Sequence, residues 1–125
     1  TAEAAKAAGV AWFGPTSAEF VEAYKAAHKE EPSYHAAGGY VAGLLLEEAI
    51  ARAGSVDGEA VRKALESTDV LTFFGRIKFD ATEQAHGLQT GHEMVLVQWQ
   101  KGADGKLLKQ VVWPPHGRTA EPVLR

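Results

Sequence analysis

The stretch SYHAAGGYVAGLLLEEAIARAGS, from Ser33 to Ser55, constrains the fold more than any other part of this chain. Tyr40, Val41, Leu44, Leu45, Ala49 and Ile50 recur at steps of three and four residues, the spacing that places side chains on one face of an α-helix. Glu47, Glu48 and Arg52 lie on the other side. Ser33 suits the N-cap, because its oxygen can accept from an exposed backbone N–H of the first turn. Gly54 suits the stop, because glycine enters the left-handed conformation without a steric penalty. One feature runs against the pattern. Gly38, Gly39 and Gly43 sit inside the helix, where each costs roughly 1 kcal/mol relative to alanine. Their presence predicts a close approach near the first turns, by another backbone or by a bound ligand.

The elements on either side set the fold class. Thr1 to Ala8 is helix-prone, with Gly9 as its stop. Val10 to Phe13 is a short apolar run that could be a buried strand, although its length leaves helix or loop open. Thr16-x-x-Glu19 is a capping box. The helix it opens runs to about Lys29, with Phe20, Val21, Tyr24, Ala27 and His28 as its apolar stripe, and Glu31-Pro32 ends it. Asp57 caps a further helix to about Ser67, turning Val61, Ala64 and Leu65 inward.

From Thr72 the period changes to two. Ile77 and Phe79 alternate with Arg76, Lys78 and Asp80, which predicts a strand with one covered face. Ala81 to Glu93 reads as loop. Met94 to Gln100 and Leu107 to Trp113 read as two strands, and Asp104-Gly105 between them is a hairpin signal, both residues being able to take positive φ. Pro114-Pro115 ends the last strand. No internal repeat or low-complexity segment is present. The expected fold class is therefore α/β: three main helices followed by a strand and a β-hairpin. Three strands cannot cover that much apolar helix surface, so the chain is expected to pack against further polypeptide.

Composition narrows the function classes. Among 125 residues, 46% are apolar, which supports a packed core over disorder. The net charge of −3 is poor footing for nucleic acid, which demands basic patches. No apolar run approaches the ~20 residues of a membrane span. Cysteine is absent, which is compatible with an exported protein that relies on its core. The chain has no initiator methionine and opens in an alanine-rich stretch. The expectation is a processed or trimmed chain from which a signal peptide has been removed.

Three segments carry a family resemblance: PSYHAAGGYVAGLLLEEAIARAGSVDGEAVRKAL, then TFFGRIKFD, then TGHEMVLVQWQKGADGKLLKQVVWPP. In this order they resemble the C-terminal part of type I periplasmic binding proteins, most closely the branched-chain amino acid binding proteins of ABC importers. The resemblance covers Thr16 to about Pro122. It implies a two-lobed fold hinged around a cleft that closes on a small ligand. Residues 1–80 would be a mainly helical portion of one lobe. Residues 81–125 would be a crossing segment and a hairpin reaching the second lobe, with a tail. The partners it implies are an amino acid or related carboxylate, the ABC permease, and the remainder of the two-lobed chain or a second copy. No cofactor is implied. The location would be periplasmic or extracellular, lipid-anchored if the source is Gram-positive.

The same resemblance puts Tyr34, His35 and Ala36 at the cleft, with Phe73 and Phe74 just before a crossing strand. These residues also make chemical sense there, since the start of a helix offers free N–H groups and partial positive charge to an anion. The competing reading makes Tyr34 a packing contact and His35 a solvated side chain. The five histidines, His28, His35, His86, His92 and His116, lack the close pairing of a zinc site. His28 is expected to be a hydrogen-bonded packing residue. No G-x-S-x-G elbow or P-loop is present, and adjacent Glu47 and Glu48 point about 100° apart. Glu48 and Arg52 are expected to pair at i, i+4 on a solvated face. Trp99 and Trp113 are expected to meet across the hairpin or enter a core. The function expected is solute binding for an ABC importer, not catalysis. The alternative is a structural or swapped-dimer module with no ligand of its own.

Overall fold

The computed structural model describes residues 1–124. It divides into two compact units, Thr1–His92 and Glu93–Arg125. In the first, the helices are α1 (Ala2–Ala7), α2 (Ser17–His28), α3 (Tyr34–Ala53) and α4 (Gly58–Glu66). The strands are β1 (Ala11–Trp12), β2 (Asp69–Thr72) and β3 (Gly75–Lys78). They form one sheet in the order β1-β2-β3, with β1 parallel and β3 antiparallel to β2.

The caps fall where the residue chemistry requires. Thr16 Oγ1 accepts from Glu19 N at 3.3 Å while the Glu19 carboxylate accepts from Thr16 N at 2.7 Å, completing the capping box. Ser33 Oγ accepts from Ala36 N at 3.1 Å, and Asp57 Oδ1 accepts from Ala60 N at 3.0 Å. Gly54 ends α3 at φ 61°. The predicted apolar face of α3 is the buried one: Val41, Leu45 and Ala49 are sealed, whereas Tyr40 at its margin stays 45% exposed. Val41 and Leu45 join Val70 of β2 and Ile77 of β3 in the main core, flanked by Phe13, Leu44, Phe73 and Phe74. Ala49 packs with Val61 and Ala64 of α4 in a second cluster. Phe20 of α2 is buried and stacks on Phe73 at 4.7 Å.

Several expectations are corrected. β2 lies where the sequence pattern predicts no strand. Asp69-Val70-Leu71-Thr72 does alternate half-buried with buried, but its four residues directly follow a helix and offer too few periods to register. The β2–β3 turn then falls at Phe73-Phe74, at the start of the period-two stretch that the sequence reads from Thr72 as a single strand. His28 is exposed and its ring lies tilted against that of Tyr24 at 4.4 Å instead of being held by a hydrogen bond. Glu48 is no solvated residue: its side chain is 15% exposed. Its carboxylate accepts two hydrogen bonds from Arg52, which also donates to Ala64 O at 2.7 Å and Thr68 Oγ1 at 3.0 Å. Arg52 thus ties α3 to the end of α4 and the start of β2.

Nor does a second backbone press on the glycines of α3. A Cβ at Gly38 would meet Phe74 Cζ at an ordinary 3.6 Å, and at Gly39 or Gly43 nothing within 4 Å. The close backbone approach in this unit is at Gly91. A Cβ there would lie 2.4 Å from Arg76 O and 2.8 Å from Lys78 N.

The second unit holds the hairpin of β4 (Leu96–Lys101) and β5 (Leu107–Trp113), closed where the sequence predicts it. Only Gly105 of the turn pair takes positive φ, at 80°. Asp104 instead accepts from Lys106 N at 3.1 Å through its carboxylate, a local bond that makes the turn without the left-handed conformation. Trp99 faces Lys109 and Trp113 faces Leu96, so the two indoles do not pair, and they are 62% and 51% exposed. The tail folds back on β4: Gln98 Nε2 donates to Val123 O at 2.9 Å, and Gln100 Nε2 to Glu121 O at 2.7 Å.

Candidate ligand-binding site

β1 and β2 run parallel, and in open α/β sheets the carboxyl ends of parallel strands are where ligands collect. In the first unit that end carries a hollow of about 370 Å³. Trp12, Thr16, Ser17, Leu71, Thr72, Phe74 and Gly75 are among its lining residues. Thr72 is buried and fully engaged, accepting from Phe74 N at 3.1 Å and donating to Gly75 O at 3.0 Å. It therefore shapes the β2–β3 turn and fixes Phe74 at the rim.

Phe74 connects this hollow to the start of α3. Its ring lies 5.1 Å from that of Tyr34 and 6.1 Å, edge-on, from that of His92. Tyr34 and His35 occupy the first turn of α3 with Ala36 behind them. Tyr34 is 67% exposed, His35 is exposed, and Ala36 is half-buried. The three predicted residues thus sit together at an open helix end. Helix geometry leaves the Tyr34 and His35 amides without an intrahelical carbonyl, while Ala36 N is already taken by Ser33.

The sequence pattern places Phe74 near a strand but gives His92 no role. His92 ends a loop laid along β3: Thr90 N donates to Lys78 O at 2.7 Å, and Phe79 bridges to Gln89. His92 Nδ1 lies 2.7 Å from Arg76 O, and since a carbonyl only accepts, Nδ1 carries the proton. The Gln89 amide nitrogen also stands 2.8 Å from Nδ1, but a protonated Nδ1 has no lone pair to offer it, so this approach is a contact and not a bond. The signal available in the sequence was Gly91, the small residue that lets the loop lie flat on the strand.

Charge around the site is arranged by local bonds. Arg76, which supplies the carbonyl for His92, grips Asp69 through two hydrogen bonds of 2.7 and 2.8 Å. That grip holds the Asp69 carboxyl below the usual carboxylate range, with Lys78 adding to the effect. The Thr16 backbone and side chain hold Glu19 low in the same way. Among the described residues no three histidine, aspartate or glutamate side chains come together as a metal site.

A family model described as periplasmic binding protein matches residues 3–106. The chain belongs to the periplasmic binding protein family. Two curated relatives in that family are similar to it over most of its length. One is a Leu/Ile/Val-binding protein homolog 7 from Brucella suis biovar 1, 35% identical over 114 residues, covering 87% of this chain and 26% of the relative. The other, a Leu/Ile/Val-binding protein homolog 7 from Brucella melitensis biotype 1, is 31% identical over 110 residues with the same coverage. The chain therefore spans about a quarter of the length of each relative. No solved structure matches it. Its helices and strands are consistent with an α/β piece of this fold.

Proposed function

We propose that this chain forms part of the cleft of a solute-binding protein serving an ABC importer. The ligand is a small amino acid or related carboxylate with an apolar side chain, the class named in the relatives. The observation that carries the reading is the position of Tyr34: exposed, at the open start of a twenty-residue helix, and against Phe74 at the carboxyl end of the parallel strands. The free amides of Tyr34 and His35 suit a ligand carboxylate, and the Tyr34 and Phe74 rings suit an aliphatic side chain. Ala36 keeps the next position small. The binding reaction then proceeds outside the cytoplasmic membrane, with a permease as the receiving partner. Residues 1–80 belong to one lobe, and residues 81–125 supply a crossing segment and a hairpin to the other.

The test is a titration of the ¹⁵N-labelled full-length protein that carries these residues with L-leucine, followed through the amides of Tyr34, His35 and Ala36. Saturable shifts confined to this turn and to Phe74, absent in Tyr34→Ala, are the expected result. Shifts elsewhere, or none at millimolar L-leucine, would remove the reading.

A second reading is favoured by one observation. In the hairpin unit Pro114 alone is buried among the described residues, while Val97, Trp99, Leu107 and Leu108 are exposed. A lone two-stranded ribbon is marginal in water, so a structural module that pairs with a second copy fits this surface. Sedimentation analysis separates the two, since the solute-binding reading predicts a monomer at micromolar concentration.

A further inference from the structure

We propose that residues 81–88 form a strap that opens on its own, with His86 on Glu66 as its fastener and Arg62 as the group that keeps the fastening weak. Three observations carry this. First, the strap is a separate turn of chain. Gly87 N donates to Asp80 O and Asp80 N to Leu88 O, both at 2.8 Å, which ties its two ends together. Within it, Leu88 N donates to Ala85 O at 2.9 Å, and the Asp80 carboxylate accepts from Thr82 N at 2.7 Å. Second, among the described residues its hydrogen bond to α4 is made by one side chain. A carboxylate only accepts, so His86 Nε2 donates to Glu66 Oε1, at 2.9 Å. Beside that bond lies a hollow of about 210 Å³ with Leu65 and Phe79 in its lining, so apolar packing does not clamp the strap to the helix there. Third, the acceptor is shared. Glu66 Oε1 also accepts from Arg62, one turn back on α4, and Arg62 holds Glu59 as well. When His86 lets go, Glu66 keeps its cation, so opening strands no carboxylate. While His86 is on, the guanidinium offsets the charge that the imidazole binds, which weakens the fastening. The His86 and Glu66 side chains are 49% and 31% exposed, so water also competes for the bond. Residues 81–88 begin the stretch proposed above to cross to the second lobe, so the state of the strap sets how firmly the first lobe holds that crossing. The device goes beyond the solute-binding reading, and no ligand enters its test.

Two residues that touch the same carboxylate oxygen should act with opposite signs, which a merely structural role would not produce. Amide hydrogen exchange is followed by ¹H–¹⁵N correlation spectra on the full-length protein that carries these residues. The probes are the amides of Gly87 and Leu88, whose bonds the strap holds. Each rate is taken as a ratio to that of the Leu45 amide, in the main core, so that a change in overall stability cancels. His86→Ala should speed exchange at Gly87 and Leu88 by roughly fivefold, the scale of one hydrogen bond to a charged group at a half-exposed site. Arg62→Ala should slow it by about twofold, because the whole Glu66 charge then faces His86. The Thr90 amide, held by Lys78 O on β3, should keep its rate in both variants. Unchanged exchange at Gly87 and Leu88 in His86→Ala would overturn the fastener. Exchange that Arg62→Ala speeds as much as His86→Ala does would make Glu66 an ordinary helix-end anchor and overturn the role given to Arg62. A Thr90 amide that opens in step with Gly87 would show that there is no separate strap.

Discussion

Gly91→Ala and Gly39→Ala are the same chemical change, and the structure gives them opposite signs. At Gly91 the new methyl would sit 2.4 Å from Arg76 O and 2.8 Å from both Arg76 C and Lys78 N. All three are backbone atoms of β3, so no rotamer change can relieve the clash. The loop must lift. Lifting breaks the Thr90 N to Lys78 O bond and the His92 to Arg76 O bond, both 2.7 Å long. At about 0.5–1.5 kcal/mol each, with residual overpacking, the expected loss is about 2–3 kcal/mol. For a unit of this size that lowers the melting temperature by about 10–20 °C. At Gly39 the methyl meets nothing within 4 Å, and the helix gains the intrinsic preference for alanine, about 1 kcal/mol. The assay is urea and thermal unfolding followed by far-UV circular dichroism, which reads the four helices of the first unit. A Gly91→Ala protein within about 0.5 kcal/mol of the parent would refute the argument that loop 87–92 is pressed against β3, since surface changes stay inside that margin. A destabilised Gly39→Ala protein would show that something covers this face of α3.

Leu45→Ala removes a side chain at the centre of the main core and should cost about 2–5 kcal/mol in urea denaturation with an unchanged m-value. Arg52→Ala leaves the Glu48 carboxylate, 15% exposed, without its cation, and frees Ala64 O and Thr68 Oγ1. It should destabilise more than Arg62→Ala, whose ion pairs lie on the surface, and comparison of the two denaturation midpoints checks this. Acid should expose the Asp69–Arg76 pair. The folded Asp69 pKa is depressed, chiefly by Arg76, so its contribution is present above the unfolded value of about 3.9 and is lost as pH falls through the lower folded value. Asp69→Asn should flatten the fall in stability below about pH 4 without abolishing it, because Glu19 and Asp80 are depressed as well.

How far the sequence could be read follows from the range of the interactions. Every N-cap of α2, α3 and α4 was legible, because an N-cap is decided by residues within one turn: Thr16 with Glu19, Ser33 with Ala36, Asp57 with Ala60. The inward face of α3 was legible for the same reason. β2 was not, since four residues give only two periods and its partner in β1 lies far back in the chain. The environment of Glu48 was hidden because its partner Arg52 is tied to Ala64 and Thr68, which lie twelve and sixteen residues further along the chain. At the candidate site, Tyr34, His35 and Ala36 came from the resemblance to a family, with helix-start chemistry behind them. Phe74 and His92 came together only through the β2–β3 turn and the returning loop. The placement of the hairpin indoles was not legible because pairing depends on register, and the shift between Leu96 and Val97 sets Trp113 against Leu96.

The parallel match of Ala11 with Val70 and Trp12 with Leu71 has a kinetic consequence. These partners are joined through three helices, whereas β2 and β3 meet across a two-residue turn and α3 meets α4 across a short link. Closing the long connection costs more chain entropy than closing the short ones. The short-range pieces can thus assemble first and present a ready edge, onto which the N-terminal strand docks last. Its hold is thin, with Phe13 N to Leu71 O among its few bonds, so the amides of Trp12 and Phe13 should be the first in the sheet to open to solvent exchange.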